Sequence, residues 1–181
     1  TRIKANDTDA LATQAQTVSA AVEKLEQKRG AIDSLKLTGP ESFAYYTGSI
    51  ASLMSLAQDY SLLHAPEGTA SALVAHGLIM NAKELAGQER GMGNGFISAG
   101  AFDPARFRAF ACLGGAQREL IGKFLKLVPV EQREKFQPIL DGEDRVSLDA
   151  FREKLVAGGA ASQLTGLDAG AWFALATKQI E

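Results

Sequence analysis

The sequence of 181 residues predicts an all-α protein, an antiparallel bundle of four long helices with shorter helices in its last third. Three observations carry that expectation. Apolar residues recur with a 3.6-residue period over long stretches, and no stretch alternates as a strand would. The long segments are also separated by the punctuation Gly39-Pro40, Ala65-Pro66 and Asp103-Pro104.

A first helix starts near residues 7–9 and runs to about 37, where Gly39-Pro40 ends it. A second covers about 40–63, with Tyr46, Ile50, Leu53, Met54, Ala57 and Tyr60 on one apolar face. The third covers about 69–98. Asp103 as N-cap and Pro104 at the first helical position open the fourth, which runs to about 128. Its seam is Phe107, Phe110, Gly114, Gln117, Ile121, Phe124 and Val128, coiled-coil-like but small and polar in the middle. Shorter helices follow over about 129–140, 147–156 with Ser147 as cap, and from the Asp168 cap towards Glu181. The chain thus reads as one domain, a bundle core over about 7–128 and an elaboration over 129–181.

Composition narrows the function. The hydrophobic fraction of 46% and charged fraction of 22% suit a soluble core. A formal charge of −2 without a polybasic block argues against general nucleic-acid or anionic-membrane binding. Cys112 is the one cysteine, so no internal disulfide forms, and its apolar neighbours predict a small buried hydrophobe. The chain opens on Thr1, with no signal peptide and no apolar run near 18 residues, as expected of an excised fragment.

The third helix is the most informative. Gly87, Gly91, Gly93 and Gly95 fall within nine residues, and each costs about 0.5–1 kcal/mol relative to alanine in a helix interior. Such a cluster implies close approach of another backbone or of a ligand. Gly77, Asn81, Glu84, Gln88, Gly91 and Gly95 form a small, polar seam beside the apolar stripe. Turned inward, it suits a wet or ligand-bearing interior; turned outward, it is a solvent face.

Lys83 and Arg90 stand seven residues apart on one side of the same helix, and neither has an acid three or four residues away. An arginine without a local carboxylate is free to take an anion or to pair with an acid on another helix. The expected geometry turns Arg90 towards Gly114 and Gln117 of the fourth helix, with Gly87 and Gly91 keeping the wall open. Catalysis has little support: His64 and His76 lack ligands at metal spacing, and no GxSxG, HExxH or phosphate loop occurs. Gly91-Met92-Gly93-Asn94-Gly95 has no strand before it, so it is not a dinucleotide loop.

Three runs carry a family resemblance: Tyr45-Tyr46-Thr47-Gly48-Ser49-Ile50, Ala82-Lys83-Glu84 leading to Gln88-Glu89-Arg90-Gly91, and Gly95-Phe96-Ile97-Ser98-Ala99-Gly100 with Phe102. Together with Ala171-Trp172-Phe173 and Thr177-Lys178-Gln179-Ile180, they resemble the nitrate- and nitrite-sensing (NIT) domain. The resemblance implies the periplasmic sensor domain of a bacterial transmembrane receptor, of chemoreceptor or kinase type, that binds nitrate or nitrite without catalysis or cofactor. It implies a ligand set of Arg90, Gly91, Gly87, Lys83, Gln88 and Asn94, a homodimer, and a last helix continuing into the membrane. Such domains usually begin with a helix bearing its own Glu-Arg-Gly-like motif ahead of the segment that residues 1–25 resemble. The expectation is that this helix is either missing from the fragment or supplied separately, and that the site is incomplete if it carries half of the ligand shell. The competing function is a helical interaction or structural bundle without a small ligand, and the orientation of the Gly77–Gly95 seam separates the two.

Overall fold

The computed structural model describes residues 5–180, and its architecture is all-α. Among the described residues the only β pairing is the isolated bridge between Ala101 and Gln163. The chain divides into two compact units after Gly77.

The first unit holds α1 (Ala5–Glu23), α2 (Leu25–Asp33), α3 (Gly39–Leu63) and the start of α4 (Ala70–Ala99). The single first helix expected from the sequence is interrupted at Lys24 and stops at Asp33. The Ser34 hydroxyl then bonds back to the Gly30 carbonyl, and Leu35 takes a positive φ. Thr38 and Glu41 form a capping box for α3, with Pro40 in its first turn. α1 and α3 run antiparallel: Gln14 donates to Asp59 near one end, and the Tyr45 hydroxyl donates to the Ala21 carbonyl near the other. None of the residues of α3 is buried, and Ile50, Leu53 and Tyr60 of its expected apolar face are exposed.

The second unit holds the rest of α4, α5 (Pro104–Leu127), α6 (Val130–Leu140), α7 (Glu143–Val156) and α8 (Ala169–Ile180). The Asp103 carboxylate accepts from the Ala105 amide, capping α5 as its sequence predicts. Asp168 accepts from the amides of Gly170 and Ala171 and so caps α8. α7, by contrast, begins at Glu143 behind Gly142, and Ser147 lies inside it. Glu143 and Asp144, four and three residues before the expected cap, supply the negative charge that a helix N-terminus favours.

The core of this unit is where α4, α5, α7 and α8 meet. α5 runs antiparallel to α4, with Gln117 beside Glu89 and Phe110 beside Phe96. α8 runs back along both α4 and α7, through Trp172 to the Arg90 carbonyl and Lys178 to Asp144. Trp172, Leu148, Leu155 and Leu164 are buried completely or almost so. Cys112 is exposed, contrary to the expectation from its apolar neighbours. The inward line of α5 runs through Phe110, Leu113, Gly114 and Gln117, and position 112 falls outside it.

Candidate functional site

Two arginines of the second unit sit in opposite chemical situations, and the contrast defines the candidate site. Arg152 of α7 is 8% exposed and reaches Glu89 of α4, itself 4% exposed. Its Nε and Nη2 donate to the two Glu89 oxygens at 2.8 and 2.6 Å, a bidentate pair. Nη1 donates to Asp149 at 2.6 Å, and Nη2 also donates to the Gln117 amide oxygen at 3.1 Å. Gln117 in turn donates to Glu89 at 2.8 Å, so each buried group is satisfied by the others. Arg145 extends the network by donating to Asp149 at 2.9 Å.

Charge follows from that geometry. Burial alone would raise the Asp149 carboxyl, but the hydrogen bonds and charges of Arg145 and Arg152 outweigh it and hold the group below the usual carboxylate range. Burial likewise opposes the Arg152 cation, and Glu89 followed by Asp149 overcomes it, so that guanidinium is held more firmly protonated. With nearly all its N–H donors committed, Arg152 has no fork to offer a ligand.

Arg90, next to Glu89 on α4, is half-buried and turned towards α8. Its Nη1 donates to the Thr177 hydroxyl at 3.0 Å, and its guanidinium lies 4.7 Å from the centre of the Phe173 ring. It forms no ion pair among the described residues. The expected orientation is therefore corrected: Glu89, not Arg90, faces Gly114 and Gln117. One residue along a helix is a rotation of about 100°. That turn gives the interior to the acid and the α8 edge to the arginine.

The other sequence-predicted site residues distribute unevenly. Lys83, Gly87, Arg90 and Asn94 recur at helical spacing and lie along one side of α4. A side chain at Gly87 would meet nothing within 4 Å, so the wall there is open. Gly91 is exposed beside them. Gln88 departs from the group and donates to Glu84 at 3.0 Å, both half-buried. Asn81, Gly91 and Gly95 of the polar seam are exposed, so within this unit the seam faces water rather than the interior.

Gly93 belongs elsewhere. A Cβ there would lie 2.5 Å from the Trp172 indole, whose Nε1 donates to the Arg90 carbonyl at 3.0 Å. Sequence reasoning missed Glu89 and Arg152. Glu89 had a visible signal, because it stands in the apolar line Leu85, Met92 and Phe96 without a cation three or four residues away.

Two cavities flank the network. One, of about 350 Å³, is lined by Glu89, Gly114, Arg118, Asp149, Arg152 and Glu153 among others. The second, of about 220 Å³, lies between α4, α5, α6 and α8 and is largely apolar, with Lys83, Gln117 and Gln179 in its wall. Among the described residues no cluster of His, Cys, Asp and Glu fits a metal ion, and no helix is long and apolar enough to cross a membrane.

Against protein families, the model described as nitrate and nitrite sensing matches residues 1–181. No curated protein and no solved structure matches the chain.

Proposed function

Because the chain belongs to the nitrate- and nitrite-sensing (NIT) family, we propose that it is the ligand-binding sensor domain of a bacterial transmembrane signalling receptor. Its ligand is a small oxyanion such as nitrate or nitrite, its place the periplasm, and its working form a homodimer. It senses rather than catalyses and uses no cofactor. Chemotaxis or kinase output lies in other parts of such a receptor.

The observation that supports this reading is the Arg90 guanidinium. It is held in place by Thr177 and Phe173, yet it carries no carboxylate among the described residues. A planar fork of donors with most of its N–H groups uncommitted matches a planar oxyanion. Lys83 adds positive charge along the same side of α4, while Gly87 and Gly91 leave room. Gln88 and Asn94 would supply amide contacts, Gln88 after releasing Glu84. An anion taken by Arg90 competes for the contacts that join it to Thr177 and Phe173, which puts binding in direct touch with α8. It would move α8 only to the extent that it binds one position of that helix better than another.

One observation favours the second reading, a helical interaction or structural bundle without a small ligand. The Asn81, Gly91 and Gly95 seam faces solvent, and a polar, small-residue surface is also what a partner helix would pack against. Thermal unfolding in nitrate, nitrite and chloride separates the two. Saturating nitrate or nitrite at a hundred times its Kd adds about 2.7 kcal/mol. That is a rise of several degrees for a protein of this size, with no comparable rise in chloride. Equal midpoints in all three salts would favour the second reading.

A further inference from the structure

We infer that the cavity between α4, α5, α6 and α8 is a second ligand site, which takes a small aliphatic monocarboxylate with its alkyl chain inside and its carboxylate on Lys83. The cavity measures about 220 Å³, below the roughly 300–1,000 Å³ of pockets for drug-sized ligands. Its walls include Ile79, Ala82, Ala86, Ile121, Phe136 and Ile180. Such a lining gives a bare oxyanion nothing to bond but rewards an alkyl chain.

The polar groups are few and placed differently. Gln117 is buried and already engaged by Glu89 and Arg152, so it closes one wall without demanding a partner. Lys83 is exposed and forms no ion pair among the described residues, which leaves its ammonium available to a carboxylate in the wall of an apolar space. α6 adds the third observation. It contributes Phe136, Ile139 and Leu140 to the cavity, yet none of its residues is buried and Ile139 is 58% exposed. Its contact with the core includes the Phe136 ring, edge-on to the buried Phe124 at 4.8 Å, and an alkyl chain in the cavity would add to it along Ile139 and Leu140. The site is distinct from the oxyanion reading at Arg90, although both draw on the charge of Lys83.

The test is a calorimetric titration of residues 1–181 with acetate, propanoate, butanoate, pentanoate and hexanoate, and with butanol as the uncharged control. Affinity should rise about fourfold per methylene until the cavity is full, and butanol should bind at least tenfold more weakly than butanoate. Lys83→Gln should remove the preference for the acid, and Ala86→Phe should abolish binding by filling the space. Should Ala86→Phe fail to fold, the chain-length series on the unaltered protein still reads the cavity. Arg90→Ala should leave pentanoate affinity within twofold, whatever it does to nitrate. Affinity independent of chain length, or Lys83→Gln binding as the unaltered protein does, would overturn the inference. Loss of pentanoate binding in Arg90→Ala would also overturn it, by placing the carboxylate at the oxyanion site instead.

Discussion

Gly93 and Trp172 fit one another as a socket fits its plug. The indole, fully buried, occupies the space where a side chain at position 93 would stand, and its N–H is bonded to the carbonyl of Arg90 three residues earlier. The glycine cluster of α4 therefore contains at least one member whose cost in helix propensity is offset by the seating of a tryptophan from α8. Gly87, with open space around it, has no such packing reason.

Replacing Gly93 by alanine should destabilise the protein by about 1–3 kcal/mol, the usual cost of overpacking, despite alanine's better helix propensity. Gly87→Ala, on the same helix, should be neutral or stabilising by up to about 1 kcal/mol. Urea titrations of the two variants give the comparison. Equal effects would show that the indole does not depend on position 93.

The Glu89–Arg152 pair should behave as a buried lock. Arg152→Met leaves the buried Glu89 carboxylate without a cation and should cost about 3–5 kcal/mol, while Glu89→Leu leaves Arg152 paired with Asp149 and should cost less. The double variant should cost clearly less than the sum of the two. A double-mutant cycle by chemical denaturation measures the coupling, and additive losses would show that the two side chains do not interact in solution.

Acid should find Asp149. Its carboxyl is held below its ordinary value, so its contribution to stability is present above the unfolded pKa of about 3.9 and is lost as pH falls through the lower folded value. Asp149→Asn should therefore be less stable than the unaltered protein at pH 7, and the gap should close in the acid range below about pH 4. Stability curves against pH for the two proteins check this. A gap that stays constant into acid would mean that Asp149 is not depressed by Arg145 and Arg152.

Cys112, exposed on α5, should react with a thiol reagent in the folded protein without denaturant. A thiol that reacts only after unfolding would restore the buried position that its apolar neighbours suggested.

Much of the fold could be read from local chemistry, because helix ends are local. Asp103 and Asp168 cap where their sequence context says, whereas Gly39-Pro40 open α3 and the helix before them has already stopped at Asp33. Ser147 misled because a hydroxyl before an apolar run is a weaker start signal than the two acids that open α7. The site was harder for a different reason. Whether Glu89 or Arg90 takes the interior depends on a partner 63 residues away on α7, and no local pattern announces Arg152 as that partner. The lack of a neighbouring acid correctly marked Arg90 as unpaired on its own helix. It could not say that the guanidinium would rest on Phe173 and Thr177 of α8 rather than on α5.

The most direct measurement is isothermal titration of nitrate and nitrite into the unaltered protein, Arg90→Ala and Arg90→Lys. The account predicts binding of at least one of the two ions by the unaltered protein and none by Arg90→Ala. Arg90→Lys should be weakened, since an ammonium cannot make the planar two-bond contact. Because Arg90 is half-buried and outside the Glu89–Arg152 network, both variants should stay folded. Oxyanion binding by Arg90→Ala at the unaltered affinity would contradict the assignment of Arg90 as the anion-binding residue.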